Sequence, residues 1–280
     1  MQNHTFNIEI DANRTISGDV RISQSDAQKP LAIVMHGLKG NRNWGFLPKL
    51  SEQFAELGYI AINYDHSLNG YIPGSIQYDM SKFSRITVSA QLQELDMIIS
   101  AIKSGELLPD AEINNIWNGE IVLCGHSMGA AVALIYASEN KIDKLIMIAP
   151  ISKFDRYTER QKKQWRIDGF VEFYNPKIDQ TMRIDSTFID DMDANLERFD
   201  LLKAISKCNS KIMIAHGEQD VTVPIREAIA LYDNSNKDNC ILNNFPHCNH
   251  SFNLDSLGTS SNPHLSALMD CIREFAKIEI

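Results

Sequence analysis

Residues 121–134 read IVLCGHSMGAAVAL, and the fold turns on how that stretch is read. Ile121 to Cys124 form a continuous apolar run, the pattern of a strand buried on both faces. Met128 to Leu134 are small and apolar, which suits a helix. Between them Ser127 stands two places from Gly125 and two from Gly129. A strand that passes into a helix through G-x-S-x-G must turn sharply, and the glycines let neighbouring backbone come close. The serine hydroxyl is then pushed out at the carboxyl edge of a sheet. The helix beginning beneath it offers unpaired N–H groups to an anion. The stretch therefore predicts a nucleophile elbow at Ser127. His126 adjoins it, but the turn aims that ring elsewhere, and no catalytic role is assigned to it.

Further runs of the same kind lie at 31–36 (LAIVMH), 59–64 (YIAINY), 144–149 (KLIMIA), 211–215 (KIMIA) and 240–245 (CILNNF). Helical stripes lie between them: Leu47, Leu50, Phe54 and Leu57; Val88, Leu92, Leu95, Ile99 and Ile102; and Leu265, Leu268, Met269, Ile272 and Phe275 after Pro263. Strand and helix in alternation give an α/β fold with a mostly parallel central sheet and helices on both faces. Phe6, Ile8 and Ile10, then Val20 and Ile22, alternate as an antiparallel hairpin does. Residues 151–205 hold no buried-strand run. They read as a cap inserted into a single domain spanning 1–280: a helix over about 156–168, a hairpin around Asn175-Pro176, and another helix.

A serine hydroxyl becomes a nucleophile only when a base takes its proton, so the elbow predicts a histidine and a carboxylate further along the chain. KIMIA is followed by HGEQDVTVP, which places Asp220 in a turn just beyond a strand and ahead of the helix at Pro224; Glu218 and Asp155 are its competitors. CILNNF is followed by PHCNHSF, where the local sequence does not separate His247 from His250. The oxyanion needs two N–H donors. One is expected from Met128, after the nucleophile, and the other from Leu38, in the MHGLKGN turn after the first parallel strand. His36 reads as a structural hydrogen-bonding residue.

Composition narrows the function classes. With 44% hydrophobic and 22% charged residues in 280, disorder is excluded. A formal charge of −9 speaks against nucleic acid as a partner, which would need a basic face. MQNHTFNIEIDANRT lacks the basic stretch and apolar core of a signal peptide, and the segment around Ser127 is too short and too polar to span a bilayer. A cytoplasmic protein with no membrane partner is the expectation. The five cysteines have no paired metal-ligand spacing and suit reduced thiols. No metal and no cofactor are expected. The sequence leaves the oligomeric state open, a homodimer included.

HGLKG, GHSMG, HGEQD and NHSF in this order strongly resemble the α/β-hydrolase family, from about residue 30 to the C-terminus. The subgroup most similar is that of small bacterial carboxylesterases, including feruloyl and cinnamoyl esterases and relatives grouped with serine aminopeptidases. Those proteins carry HGxxG in the oxyanion turn and end in a histidine followed two residues on by phenylalanine. His250 and Phe252 match that ending, and the resemblance selects His250 as the base. It also implies a cap at 151–205. One departure is NYDHSLNGYIPGS, which keeps Asp65 and Gly70 of the subgroup's D-x-x-G-x-G-x-S loop but has no arginine.

By this resemblance the chain is expected to be a serine hydrolase of small-molecule esters, with Ser127, Asp220 and His250 as triad and Leu38 and Met128 as oxyanion donors. The cap aromatics Trp165, Phe170 and Phe173 are expected to bind an aromatic or short acyl group, unless they form a core within the cap. An aminopeptidase would need cap carboxylates for a substrate ammonium, and Glu159, Glu172, Asp190, Asp191 and Asp193 are available. A thioesterase or acyltransferase would use the same machinery. A non-catalytic binding scaffold is the rival from another class, though such scaffolds commonly lose a triad member.

Overall fold

Pairing into a sheet sorts the apolar runs onto two faces. We describe the chain in a computed structural model over residues 1–23, 27–108, 113–176, 178–254 and 261–278. In β3 (Lys29–Met35) Leu31, Ile33 and Met35 join one buried cluster while Ala32 and Val34 join the other. The same split separates Ile121 and Leu123 from Val122 and Cys124 in β5 (Trp117–His126), and Ile212 and Ile214 from Met213 and Ala215 in β9 (Lys211–Gly217). A strand covered on both faces has no polar side, so its sequence reads as unbroken hydrophobicity.

Six parallel strands run β4 (Ile60–Asp65), β3, β5, β6 (Lys144–Ile148), β9 and β10 (Cys240–Phe245). The hairpin of β1 (Gln2–Asp11) and β2 (Arg14–Ile22) adds antiparallel to β4, giving eight strands in the order β1-β2-β4-β3-β5-β6-β9-β10. The chain leaves β3 for β4 on one side and then returns to β5 on the other. That switch point sets the loops after β3 and β5 side by side at the carboxyl edge, the place where open α/β sheets bind ligands.

One face is covered by α1 (Leu47–Glu56), whose Leu47, Leu50 and Phe54 pack with the last helix of the chain, Pro263–Ala276. Gln53 Nε2 donates to Met269 O at 2.9 Å, and the Tyr59 hydroxyl to Ala276 O at 2.5 Å. The short helix α2 (Met80–Phe83) precedes α3 (Val88–Ser104), and α4 (Ile113–Ile116) leads into β5. The other face carries α3, α5 (Met128–Glu139), α8 (Leu201–Lys207) and α9 (Arg226–Asn234). Thr87 caps α3 by accepting from Ala90 N, and Gly105, at φ 78°, ends it. Each fully buried leucine or isoleucine of these layers contributes about 1.5–3 kcal/mol.

Over the carboxyl edge the chain forms α6 (Glu159–Asp168), the antiparallel pair β7 (Phe170–Asn175) and β8 (Gln180–Asp185), and α7 (Thr187–Ala194). Helix α6 begins three residues later than the sequence suggested. Thr158 and Gln161 form a reciprocal capping box that fixes its start. Helix α8 packs on α5 and α9, within the layer beneath. Among the described residues no helix is long and apolar enough to cross a membrane.

Candidate active site

Ser127 sits between the end of β5 and the start of α5 with φ 55° and ψ −119°, a conformation that L-residues rarely adopt. Its N–H donates to Ile148 O at 2.8 Å, which pins the turn to β6. The glycines are there for closeness. A Cβ on Gly129 would lie 2.4 Å from His36 O, and one on Gly125 would lie 2.5 Å from Ala130 N. We expect Gly129→Ala to cost at least about 1–3 kcal/mol, as overpacking against backbone does. Urea denaturation checks this, and an unchanged midpoint would show that the elbow is not tightly packed.

Asp220 and His250, the acid and base expected from the sequence, meet across two later loops. Asp220 has a fully buried side chain after β9, and His250, 19% exposed, follows β10. His250 Nδ1 lies 2.6 Å from Asp220 Oδ2. The other carboxylate oxygen, Oδ1, accepts from Thr222 N at 2.9 Å and Val223 N at 2.8 Å. His216, wholly buried, places Nε2 2.7 Å from Val223 O and 3.3 Å from Asp220 Oδ2. Burial alone would raise the Asp220 carboxyl, but the hydrogen bonds from His216, His250 and the Val223 amide hold it far below the usual carboxylate range.

The H-x-F ending acquires a physical reason. Phe252 is fully buried and packs edge-on against Phe46 and Phe245, so it anchors the loop while His250 faces out. Asn249 Oδ1 knots the same loop by accepting from Ser251 N and Asn253 N. The competitors lie elsewhere. His247 is exposed against Gln219, Glu218 is exposed, and Asp155 pairs with Lys162.

The turn after β3 closes through Gly40 N to Gly37 O at 3.0 Å, with Lys39 left-handed at φ 63°. Leu38 lies inside this turn, and Met128, as first residue of α5, has an amide without an intrahelical acceptor. Beneath the turn His36 is buried, Nδ1 donating to Gly37 O at 2.8 Å and Nε2 accepting from His66 N at 3.3 Å. Burial lowers its pKa to about 3, so the ring is neutral at physiological pH. His126 is also buried and lowered to about 3. It stacks on Trp44 at 5.0 Å, and its Nε2 donates to His250 O at 3.1 Å. His126 and His216 thus back His250 and Asp220 from behind. Sequence reading gave neither a role, although both adjoin the glycine of a motif.

Ser127, His250, Leu38 and Met128 line one open cleft of about 530 Å³ between the sheet edge and the cap. Among the described residues no hydrogen bond joins Ser127 Oγ to the His250 ring. The cap contributes Ile151, Phe154, Tyr157, Ile178 and Phe188, and Trp44 faces them from the loop after β3. None of the three aromatics expected to bind the acyl group lines this cleft. Trp165 is 3% exposed, donates Nε1–H to Ile184 O at 2.9 Å and stacks on Phe188, so it is core of the cap. Phe170 lies under the Arg183 guanidinium at 3.9 Å, and Phe173 under Lys39 Nζ at 5.3 Å.

The cap carboxylates are engaged away from the cleft. Glu159 pairs with Lys162, Asp190 and Asp193 with Arg166, and Asp191 accepts from Ser89. Glu172 is exposed on β7. Among the described residues, the lysines, arginines and carboxylates lining the cleft are Lys39 and Arg156, the latter paired with Glu227. Among the described residues no cluster of histidine, cysteine or carboxylate groups is arranged to hold a metal ion.

Comparison with known proteins places the chain in a family and a fold. Residues 18–268 match the model of the dienelactone hydrolase family. No curated protein matches the sequence. Among solved structures, Est1E of Butyrivibrio proteoclasticus with bound ferulic acid superposes with a TM-score of 0.71 at 18% identity, covering 96% of each chain. Alpha/beta hydrolase domain-containing protein 10 from mouse gives 0.67 at 17% identity, covering 97% of this chain and 98% of that one. Monoacylglycerol lipase of Paleococcus ferrophilus gives 0.62 at 15% identity, covering 99% and 100%. At these identities the likeness is one of fold.

Proposed function

The chain belongs to the dienelactone hydrolase family and has the α/β-hydrolase fold, and from that premise we propose that it is a serine carboxylic-ester hydrolase working through an acyl-enzyme on small-molecule esters. The observation that carries the reading is the meeting, in one cleft, of a strained serine and a histidine held 2.6 Å from a buried carboxylate. With Asp220 accepting the Nδ1–H, His250 presents a lone pair on Nε2. That nitrogen takes the proton as Ser127 Oγ attacks the ester carbonyl. The Leu38 and Met128 amides receive the developing oxyanion, His250 returns the proton to the leaving alcohol, and water repeats the sequence on the acyl-enzyme. The mechanism requires a Ser127–His250 hydrogen bond, a contact of the kind that is often long in ligand-free sites and tightens when substrate fills them.

The cleft wall favours an apolar or aromatic acyl group, because Trp44, Phe154, Tyr157 and Phe188 line it. An aminopeptidase fits less well. Its substrate ammonium would need a carboxylate in the cleft, and the described lining offers cations instead. A panel of p-nitrophenyl esters of graded length, methyl ferulate, acyl thioesters and aminoacyl p-nitroanilides tests the reading. The esters are expected to exceed the anilides in kcat/KM by about 100-fold or more, since a site without the matching polar group rejects the ammonium. Faster turnover of anilides or thioesters would overturn it in favour of those activities.

A further inference from the structure

The loop between β4 and α2 departs most from the resemblance, and one of its residues touches three working parts at once. Tyr71 and Tyr78 pair as an isolated antiparallel bridge, and Asp79 N donates to Gly70 O at 2.7 Å; between them the chain is exposed, with Ile76 at 71%. At the foot of this loop the Tyr78 ring lines the cleft and packs edge-on against Phe83 at 6.0 Å. Its hydroxyl donates to Lys39 O at 2.6 Å, and the Asn41 side chain reaches that hydroxyl. Its main chain is gripped by one side-chain amide of the cap: Tyr78 N donates to Gln180 Oε1 and Gln180 Nε2 donates to Tyr78 O, both at 2.8 Å.

Lys39 is the left-handed, non-glycine residue of the turn that carries Leu38. An L-residue held there relaxes toward negative φ unless something fixes it, and relaxation turns the adjoining peptide planes. The phenol bond to the Lys39 carbonyl opposes that relaxation. Because an oxyanion donor acts only when aimed where the charge will develop, a small rotation of the turn is felt in the chemical step more than in ground-state binding.

We propose that Tyr78 is a positioning residue. Its hydroxyl holds the 37–40 turn in the conformation that presents the Leu38 amide to the cleft, and its main chain couples that turn to the cap through Gln180. This rests on the esterase reading of the same site.

Tyr78→Phe removes the hydroxyl and keeps the ring. Its kcat on the best ester of the panel is expected to fall about 10- to 100-fold with KM within about threefold, short of the loss seen when an oxyanion donor is deleted outright. Lys39→Gly lets the turn adopt positive φ without strain, so the loss of kcat caused by Tyr78→Phe is expected to be at least about fivefold smaller when measured in the Lys39→Gly background. Exchange of the Gly40 amide, which closes the turn, is expected to speed up about tenfold or more in Tyr78→Phe, as local opening becomes easier. Unchanged kcat, a loss confined to KM, or no rescue by Lys39→Gly would overturn the proposal. If the wild-type protein hydrolyses no ester, the esterase reading fails. Gly40 exchange then decides the clamp by itself, acceleration supporting it and an unchanged rate refuting it.

Discussion

Ser127→Ala is expected to lower kcat on a p-nitrophenyl ester by about 10⁵- to 10⁶-fold, the loss found when the nucleophile of a serine hydrolase is removed. The large figure follows from the geometry. The elbow presents a single hydroxyl to the cleft, and the neighbouring His126 ring is buried and neutral, so no second nucleophile stands on the turn. Residual turnover, about 10³ to 10⁴ above water, would come from binding and the oxyanion donors alone. The fold is expected to survive, because alanine keeps the Cβ and the backbone bond to Ile148 O. Activity retained in a folded Ser127→Ala protein would place the chemistry elsewhere.

Asp220→Asn is expected to cost about 10⁴-fold in kcat, and the surroundings of Asp220 make the reason specific. Oδ1 accepts two amide N–H bonds, from Thr222 and Val223, so an asparagine there must turn its oxygen toward them. Its NH₂ then faces His250 Nδ1 and His216 Nε2, where the carboxylate had accepted. His250 is driven to carry its proton on Nε2 and can no longer take one from Ser127. Linkage gives the same substitution a second signature. The folded carboxyl titrates below its unfolded value, so its stabilising contribution is full above the unfolded pKa of about 3.9 and is lost as pH falls toward the folded one. In urea denaturation the stability gap between wild type and Asp220→Asn is therefore expected to narrow as pH falls below about 4. A gap that keeps widening below about pH 4 would contradict the network drawn around Asp220.

Some of this was written locally in the chain and some was not. Gly125, Ser127 and Gly129 are legible because the constraint is local: a strand must become a helix in two residues, and backbone passes where a Cβ would collide. The parallel sheet is legible for a similar reason, since strands covered on both faces keep apolar residues throughout. The choice between His247 and His250 was not local. It depends on Phe252 reaching a core built by Phe46 and Phe245, which the sequence shows only as a phenylalanine two places on.

The cap aromatics misled because aromatic content does not say which face a ring takes. Trp165 must satisfy an indole N–H, and Ile184 O, inside the cap, supplies the partner. His216 has no signal of its own beside the more conspicuous HGEQD carboxylates, and the sequence shows the turn aiming the His126 ring away from Ser127 but not its bond to His250 O; the usable signal was a histidine beside a glycine at a strand end. Tyr78 lay in a loop that has no periodicity to read, and its partners, Lys39 and Gln180, lie 39 and 102 residues away.

The most direct test is covalent. Incubation of the folded wild-type protein with a fluorophosphonate, followed by intact mass and peptide mapping, is predicted to give one adduct, on Ser127. It should be absent in Ser127→Ala and strongly slowed in Asp220→Asn. A well-folded protein that takes up no phosphonate, or takes it up on another residue, would contradict the account.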